Sequence, residues 1–212
     1  HRAAAHRPYR QEELSMCGIC GYRYADPARF SPAPLAAMTD ALRHRGPDDG
    51  GLWQDPRSGV AFGHRRLCVL DTSAKAAQPM VDPSGRVVVV YNGEWYNYEA
   101  TRRDLQKRGV RFDSTGDTEV LLHAYLAYGA EFIHEVNGDF AFAIWDGRTK
   151  VLHLARDRVG VRPLYVSEQN GVVAFASEPK ALFLHPAIAK RPNLACLPEY
   201  FGALAVFDGE TL

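Results

Sequence analysis

Cys17 stands between Met16 and Gly18. A chain opened before Cys17 would present a thiol beside its own α-amine, a nucleophile with a built-in general base. Such an amine titrates at roughly pH 7.7–8.0, so part of it is neutral under physiological conditions. The same residue can also be one small buried hydrophobe of a strand. Cys17 and Cys20 form a C-x-x-C pair, a spacing found in redox centres and, with Cys68 and Cys196, open to a zinc site. The redox motif belongs between a strand and a helix. Here the pair opens an apolar run, and the chain has no second C-x-x-C.

Four further groups could act on a polar substrate. Arg66 shares a strand face with Phe62, Cys68 and Leu70 if the run 59–71 is extended. A guanidinium on an apolar face needs an anionic partner. That partner is either a substrate carboxylate gripped by the bidentate fork or one of Asp48, Asp49 and Asp71. Asn92-Gly93-Glu94 follows an apolar strand. A side-chain amide and the next main-chain N–H can together form an oxyanion hole, or the pair can be an ordinary tight turn. Asp117 stands at a helix start, where it can cap the helix or accept hydrogen bonds from a substrate ammonium. The run RHRGPDDGG (43–51) can order a loop around a polar ligand or be a solvated turn.

These residues need elements to place them. CGICGYRY from Cys17 suits a strand, and 34–43 reads as a helix stopped by the Gly-Pro-rich run. Residues 87–91 (VVVVY) form a doubly buried strand that ends at the Asn92-Gly93 turn signal. Asn97 can cap a helix over 98–108, closed by Gly109. A second helix over 118–128 carries Val120, Leu121, Ala124, Tyr125 and Tyr128 at the 3.6 period. Strands follow at 141–145, 150–155, 163–167 and 172–176, with turns at Asp146-Gly147 and Asn170-Gly171. Residues 178–204 read as helical turns around Pro186, Pro192 and Pro198. Helices segregated from antiparallel strands predict a layered α+β fold.

Composition narrows the classes. The 212 residues hold 25 Lys plus Arg against 25 Asp plus Glu, so no net field favours nucleic acid or anionic lipid. No apolar run approaches the roughly 18–20 residues that span a bilayer. Four cysteines are too few for a disulfide scaffold. Residues 1–16 lack the apolar core of a secretory signal, so a cytoplasmic protein with a disordered N-terminal extension is expected.

The ordered set Met16-Cys17-Gly18-Ile19, RHRGPDD (43–49), GHRRLCVLD (63–71), QPM (78–80), NGEWYNY (92–98), GDTEVLL (116–122), GDFAFAIWD (138–146), LARDRVGVRPLY (154–165) and FASEPKAL (175–182) resembles one family closely. It is similar to the N-terminal glutaminase domain of glutamine-hydrolysing asparagine synthetases, a class II glutamine amidotransferase. The resemblance implies the four-layer αββα sandwich of the N-terminal-nucleophile hydrolases. It implies Cys17 as the nucleophile and its freed α-amine as base and then acid, with Asn92 and the Gly93 N–H as oxyanion hole. Arg66 would hold the glutamine α-carboxylate, Asp117 and Glu94 its α-ammonium, and Val69 and Leu70 would line the pocket. Glutamate and ammonia would form through a cysteinyl thioester, without a metal or other cofactor in this half-reaction.

The resemblance divides the chain into the extension 1–16, a glutaminase domain over 17–190, and 191–212 as the start of a linker to a synthetase domain. That domain, in the same chain or another subunit, would use ATP and magnesium, with aspartate as acceptor and asparagine as product. L-glutamine and that domain are the expected partners; a homodimer is also open, whereas nucleic acid and membrane are not expected. Two alternatives stand beside this. One is an amide ligase of a biosynthetic cluster with another acceptor. The other is a non-catalytic amidotransferase-like module, suggested by the 16 residues that would otherwise block the amine of Cys17.

Overall fold

The computed structural model describes residues 16–67 and 74–203. The expectations for residues 1–15, for Cys68, Val69, Leu70 and Asp71, and for the chain beyond Ala203 lie outside the described residues. Strands β1 (Gly18–Tyr24), β2 (Asp49–Asp55), β3 (Val60–Arg66), β8 (Tyr165–Gln169) and β9 (Val172–Ala176) make a five-stranded sheet in the order β2-β3-β1-β9-β8. Strands β4 (Met80–Val81), β5 (Val87–Trp95), β6 (Gly138–Asp146) and β7 (Val151–Arg156) make a four-stranded sheet in that order. Every pairing is antiparallel. The helices are α1 (Ala33–Asp40), α2 (Tyr98–Lys107), α3 (Asp117–Tyr128), α4 (Pro179–Leu182) and α5 (Leu197–Ala203).

Alternation along the strands builds the layers. In β5, Val88 and Val90 point one way and meet Ile19, Val60, Phe62 and Phe175 of the other sheet. Val87, Val89 and Tyr91 point the other way, onto Leu105 of α2 and Val120, Leu121, Ala124 and Tyr125 of α3. Cys20, Tyr22, Ala61 and Ala174, on the outer face of the five-stranded sheet, pack under Leu35 and Met38 of α1 and Ala181 and Leu182 of α4. Three apolar interfaces thus separate four layers, α1/α4, sheet, sheet and α2/α3, the expected αββα sandwich.

Four local expectations change. β5 does not end at Asn92-Gly93: both remain in the ladder, opposite Ala141 and Phe140. Glycine serves close approach here rather than a turn, because a Cβ on Gly93 would lie 2.3 Å from the Asp139 carbonyl oxygen. Asn97 sits at the N-cap of α2 but does not cap it. Its Oδ1 accepts from Trp95 Nε1 at 2.5 Å and Asn137 N at 2.9 Å, fastening the helix start to the loop before β6. Asp117 is the first residue of α3 rather than its cap, a place held by Gly116. β2 lies partly within the run read as a turn; it is an edge strand, mostly exposed, with too little apolar alternation to reveal itself.

Candidate active site

The site forms where β4 stops. Tyr96 N donates to Asn137 O at 2.9 Å and Gly147 N to Arg86 O at 2.7 Å, flanking the β5–β6 ladder at both ends. In an antiparallel pair the main-chain groups of alternate residues face the same side. The even-numbered residues of β5 therefore face β6, and the odd-numbered ones face away. Val89 is covered there by Met80 of β4. Beyond it, side chains take over. Tyr91 N donates to Gln78 Oε1 at 2.6 Å, and Trp95 N donates to Asp117 Oδ2 at 3.0 Å. Gly93 lies between them on the same edge, and its N–H opens toward a cleft of about 440 Å³.

Cys17, Arg66, Asn92, Gly93, Glu94 and Asp117 all line that cleft, with Met16, Gln78, Tyr91, Thr118, Asp139 and Arg162. Six of the eight residues singled out by the sequence thus meet in one place, although they span 101 positions from 17 to 117. The other two, Val69 and Leu70, lie outside the described residues. Asn92 is only 2% exposed, and its Nδ2 has no hydrogen-bond partner among the described residues. A buried amide left unpaired costs about 1–3 kcal/mol, so this group is poised for something that arrives from outside.

Cys17 precedes β1 and is half-buried. Its Sγ receives the Leu67 N–H at 3.4 Å and lies 3.7 Å from the Leu67 carbonyl oxygen. Its own carbonyl accepts from Arg45 Nε at 3.1 Å, and Arg45 Nη1 pairs with Glu178 at 3.1 Å. His44 and Lys180 reach the same carboxylate at 2.8 and 2.9 Å. Burial opposes ionisation of Glu178, but the hydrogen bonds from Lys180, His44 and Arg45 outweigh it and bring its pKa down to about 2. Within the RHRGPDD run, Arg45 therefore ties the main chain of Cys17 to Glu178. Gly46 permits this, since a Cβ there would lie 2.4 Å from the Arg65 carbonyl carbon.

Arg66 ends β3 with 7% exposure, on the inter-sheet face with Val60 and Phe62. Asp117 Oδ2 also accepts from the Tyr91 hydroxyl at 2.9 Å. Burial pushes the Asp117 carboxyl above its ordinary value, against the pull of the Trp95 N–H and Tyr91 hydroxyl. A carboxylate held in this way would gain from a bound cation. Asp139, at the cleft rim, accepts from the Tyr96 hydroxyl and lies 2.6 Å from Arg162 Nε. Sequence reasoning gave no role to Gln78, Asp139 or Arg162. Their signal was present only as the QPM, GDF and VRP runs, with nothing local to show what they face.

Cys20 has a different setting. It is fully buried under α1, 3.4 Å from Thr39 Oγ1, and burial lifts its pKa to about 12. Cys20 is a free thiol. Among the described residues no three His, Cys, Asp or Glu side chains are grouped to hold a metal ion, and no helix is long and apolar enough to cross a membrane.

Residues 16–212 match the family model described as the glutamine amidotransferase domain. The chain belongs to that family. Among its relatives, asparagine synthetase [glutamine-hydrolyzing] 3 of Bacillus subtilis is 40% identical over 190 residues, covering 88% of this chain and 30% of that protein. Amidase chry2 of Gibberella zeae is 36% identical over 176 residues, 78% of this chain and 26% of that protein. This amidotransferase domain thus spans under a third of the length of the curated relatives it matches. In fold it is similar to the solved glutamine phosphoribosylpyrophosphate amidotransferase of B. subtilis, with a TM-score of 0.67 at 22% identity over 82% of this chain and 45% of that one. The shared architecture is the antiparallel α+β sandwich described above.

Proposed function

We propose that this domain hydrolyses the side-chain amide of L-glutamine and supplies ammonia for amide synthesis. The observation that carries the proposal is the unpartnered Asn92 amide beside the outward-facing Gly93 N–H, in one cleft with Cys17. Glutamine enters with its α-carboxylate on Arg66 and its α-ammonium on Asp117 and Glu94. The Cys17 α-amine, freed by removal of the residues before it, takes the thiol proton. The thiolate attacks the amide carbon, and the carbonyl oxygen becomes an oxyanion that Asn92 Nδ2 and Gly93 N–H receive. Each such donor is worth on the order of 3 kcal/mol in the transition state. The C–N bond then breaks, the protonated α-amine returns its proton to the departing nitrogen, and a γ-glutamyl thioester remains. Water, deprotonated by the same amine, cleaves the thioester to glutamate and restores the thiol.

The names of the asparagine synthetase relatives favour asparagine as the amide formed. In our reading aspartate is the acceptor, activated with ATP and magnesium in a synthetase domain on the same or another chain, in the cytoplasm. A homodimer would be one setting for that pairing. A non-catalytic module would gain nothing from a buried amide without a partner, and this favours the enzymatic alternative. An acceptor other than aspartate would leave every step above unchanged.

The test is glutamate release from glutamine by protein cut to begin at Cys17, beside the full chain. Activity in the cut protein, abolished by Cys17→Ala and absent from the uncut chain, is expected. Equal activity with the extension attached would refute the α-amine as base. Activity surviving Cys17→Ala would refute the thioester.

A further inference from the structure

The residue before the candidate oxyanion donors is held from both of its main-chain polar groups by side chains. Met80 pairs with Val89 and Val81 with Val88, so the next outward-facing position, Tyr91, would fall opposite residue 78 if the ladder continued. The strand has ended there. The Gln78 side chain takes the place of a ladder carbonyl, accepting the Tyr91 N–H through Oε1 at 2.6 Å. Its Nε2 donates to Thr118 Oγ1 at 3.3 Å, which ties the same amide to the first turn of α3. The Tyr91 carbonyl, on the same edge, receives Nε2 of His64 from the opposite sheet at 3.2 Å. Burial lowers the pKa of His64 to about 4, despite the hydrogen bond to Tyr91, so the ring is neutral and Nε2 carries the proton in that bond.

We infer that Gln78 is a positioning residue for the oxyanion hole, with His64 as its counterpart across the sheets. Together they fix the free edge of β5 one residue before Asn92 and two before Gly93. They also link it to the strand that ends at Arg66 and the helix that begins at Asp117. Without the Gln78 acceptor, the Tyr91 N–H loses its partner and the edge can slide or twist. A displacement of the order of 1 Å at a catalytic donor costs about 10²-fold in rate. Ground-state binding through Arg66 and Asp117 would change far less. The inference rests on the glutaminase function proposed above.

The experiment compares Gln78→Ala with its parent, both beginning at Cys17. It reads kcat and KM for glutamine and the rate of Cys17 alkylation by iodoacetamide, a reaction that forms no oxyanion. The parent must release glutamate and lose that activity with Cys17→Ala; if it does not, the glutaminase function fails and the inference falls with it. With an active parent, the expected result is a fall in kcat of about 10- to 100-fold, with KM within about threefold and alkylation unchanged. An unchanged kcat, or losses of equal size in KM and alkylation, would sink the positioning role alone. Thr118→Val, which removes only the outer anchor of Gln78, covers the case in which Gln78→Ala does not fold. It should show the same split at reduced size, and a KM-only effect or none would again overturn the inference.

Discussion

The two halves of β5 make contrasting use of one strand. Val87 to Val90 are fully buried, ladder-paired with β6 and, at Val88 and Val89, with β4. Tyr91 to Trp95 keep β6 on one side and, among the described residues, have side chains and the cleft on the other. The first half spends its polar groups on the sheet and its side chains on two cores. The second half leaves a main-chain edge and a buried amide for use. The site occurs where regular pairing stops, because a complete ladder has no donor left to offer a substrate.

The sharpest test of this contrast is Asn92→Ala. Loss of one oxyanion donor should lower kcat by about 10²–10³-fold. Because the amide it removes is buried and unpaired, the melting temperature should stay level or rise. A large loss of stability would place Asn92 with the structural half of the strand. Val90→Ala should give the opposite pattern. Truncating this fully buried side chain between the sheets should cost about 2 kcal/mol in denaturant unfolding, with glutaminase kcat nearly retained. A selective loss of kcat would break the division between the halves.

Smaller effects sharpen the two ends of the contrast. Asp82 organises the turn into the structural half, accepting from the main chain of Ser84, Arg86 and Val87 and from the Ser84 hydroxyl. Burial opposes its ionisation, yet these donors hold its pKa below the ordinary 3.8. Its stabilisation is therefore present above the unfolded-state pKa and lost as pH falls below it. Asp82→Ala should cost about 1 kcal/mol at neutral pH and flatten the acid limb of stability, as thermal melts across pH would show. At the functional end, Asp117 titrates above 3.8 because of burial, with Tyr91, Tyr98 and Glu94 also near it. Protonation removes its grip on an ammonium. KM for glutamine should thus rise several-fold on acidification, beginning at a higher pH than an exposed aspartate would give. A KM independent of pH across that range would assign ammonium binding elsewhere.

Much of the fold was open to local pattern. The 3.6 period of α3 marked Val120, Leu121, Ala124 and Tyr125, which are buried, and Tyr128, which is only partly so. The unbroken apolar run marked the buried start of β5, since both signals depend on side chains a few residues apart. Local chemistry misled at Asn92-Gly93, where the commonest use of the pair is a turn; the ladder to β6 overrode it. The edge strands β2 and β4 were not seen because neither presents a sustained apolar face. For the site, the resemblance supplied six residues that the fold does bring to one cleft.

By itself, then, the sequence determined the main helices and strands and their segregation into a layered α+β fold. These follow from periodicity and residue type, which are local; the four-layer order and the set of reactive groups came through the family resemblance its motifs carry. Tertiary structure alone decided which hydrogen-bonding groups are spent and which remain. Gln78 meets Tyr91 across 13 residues, His64 meets it across 27, and Arg45 meets Glu178 across 133. A donor becomes available to a substrate only when such distant partners have satisfied its neighbours and passed it by. That accounting exists only once the chain has closed on itself.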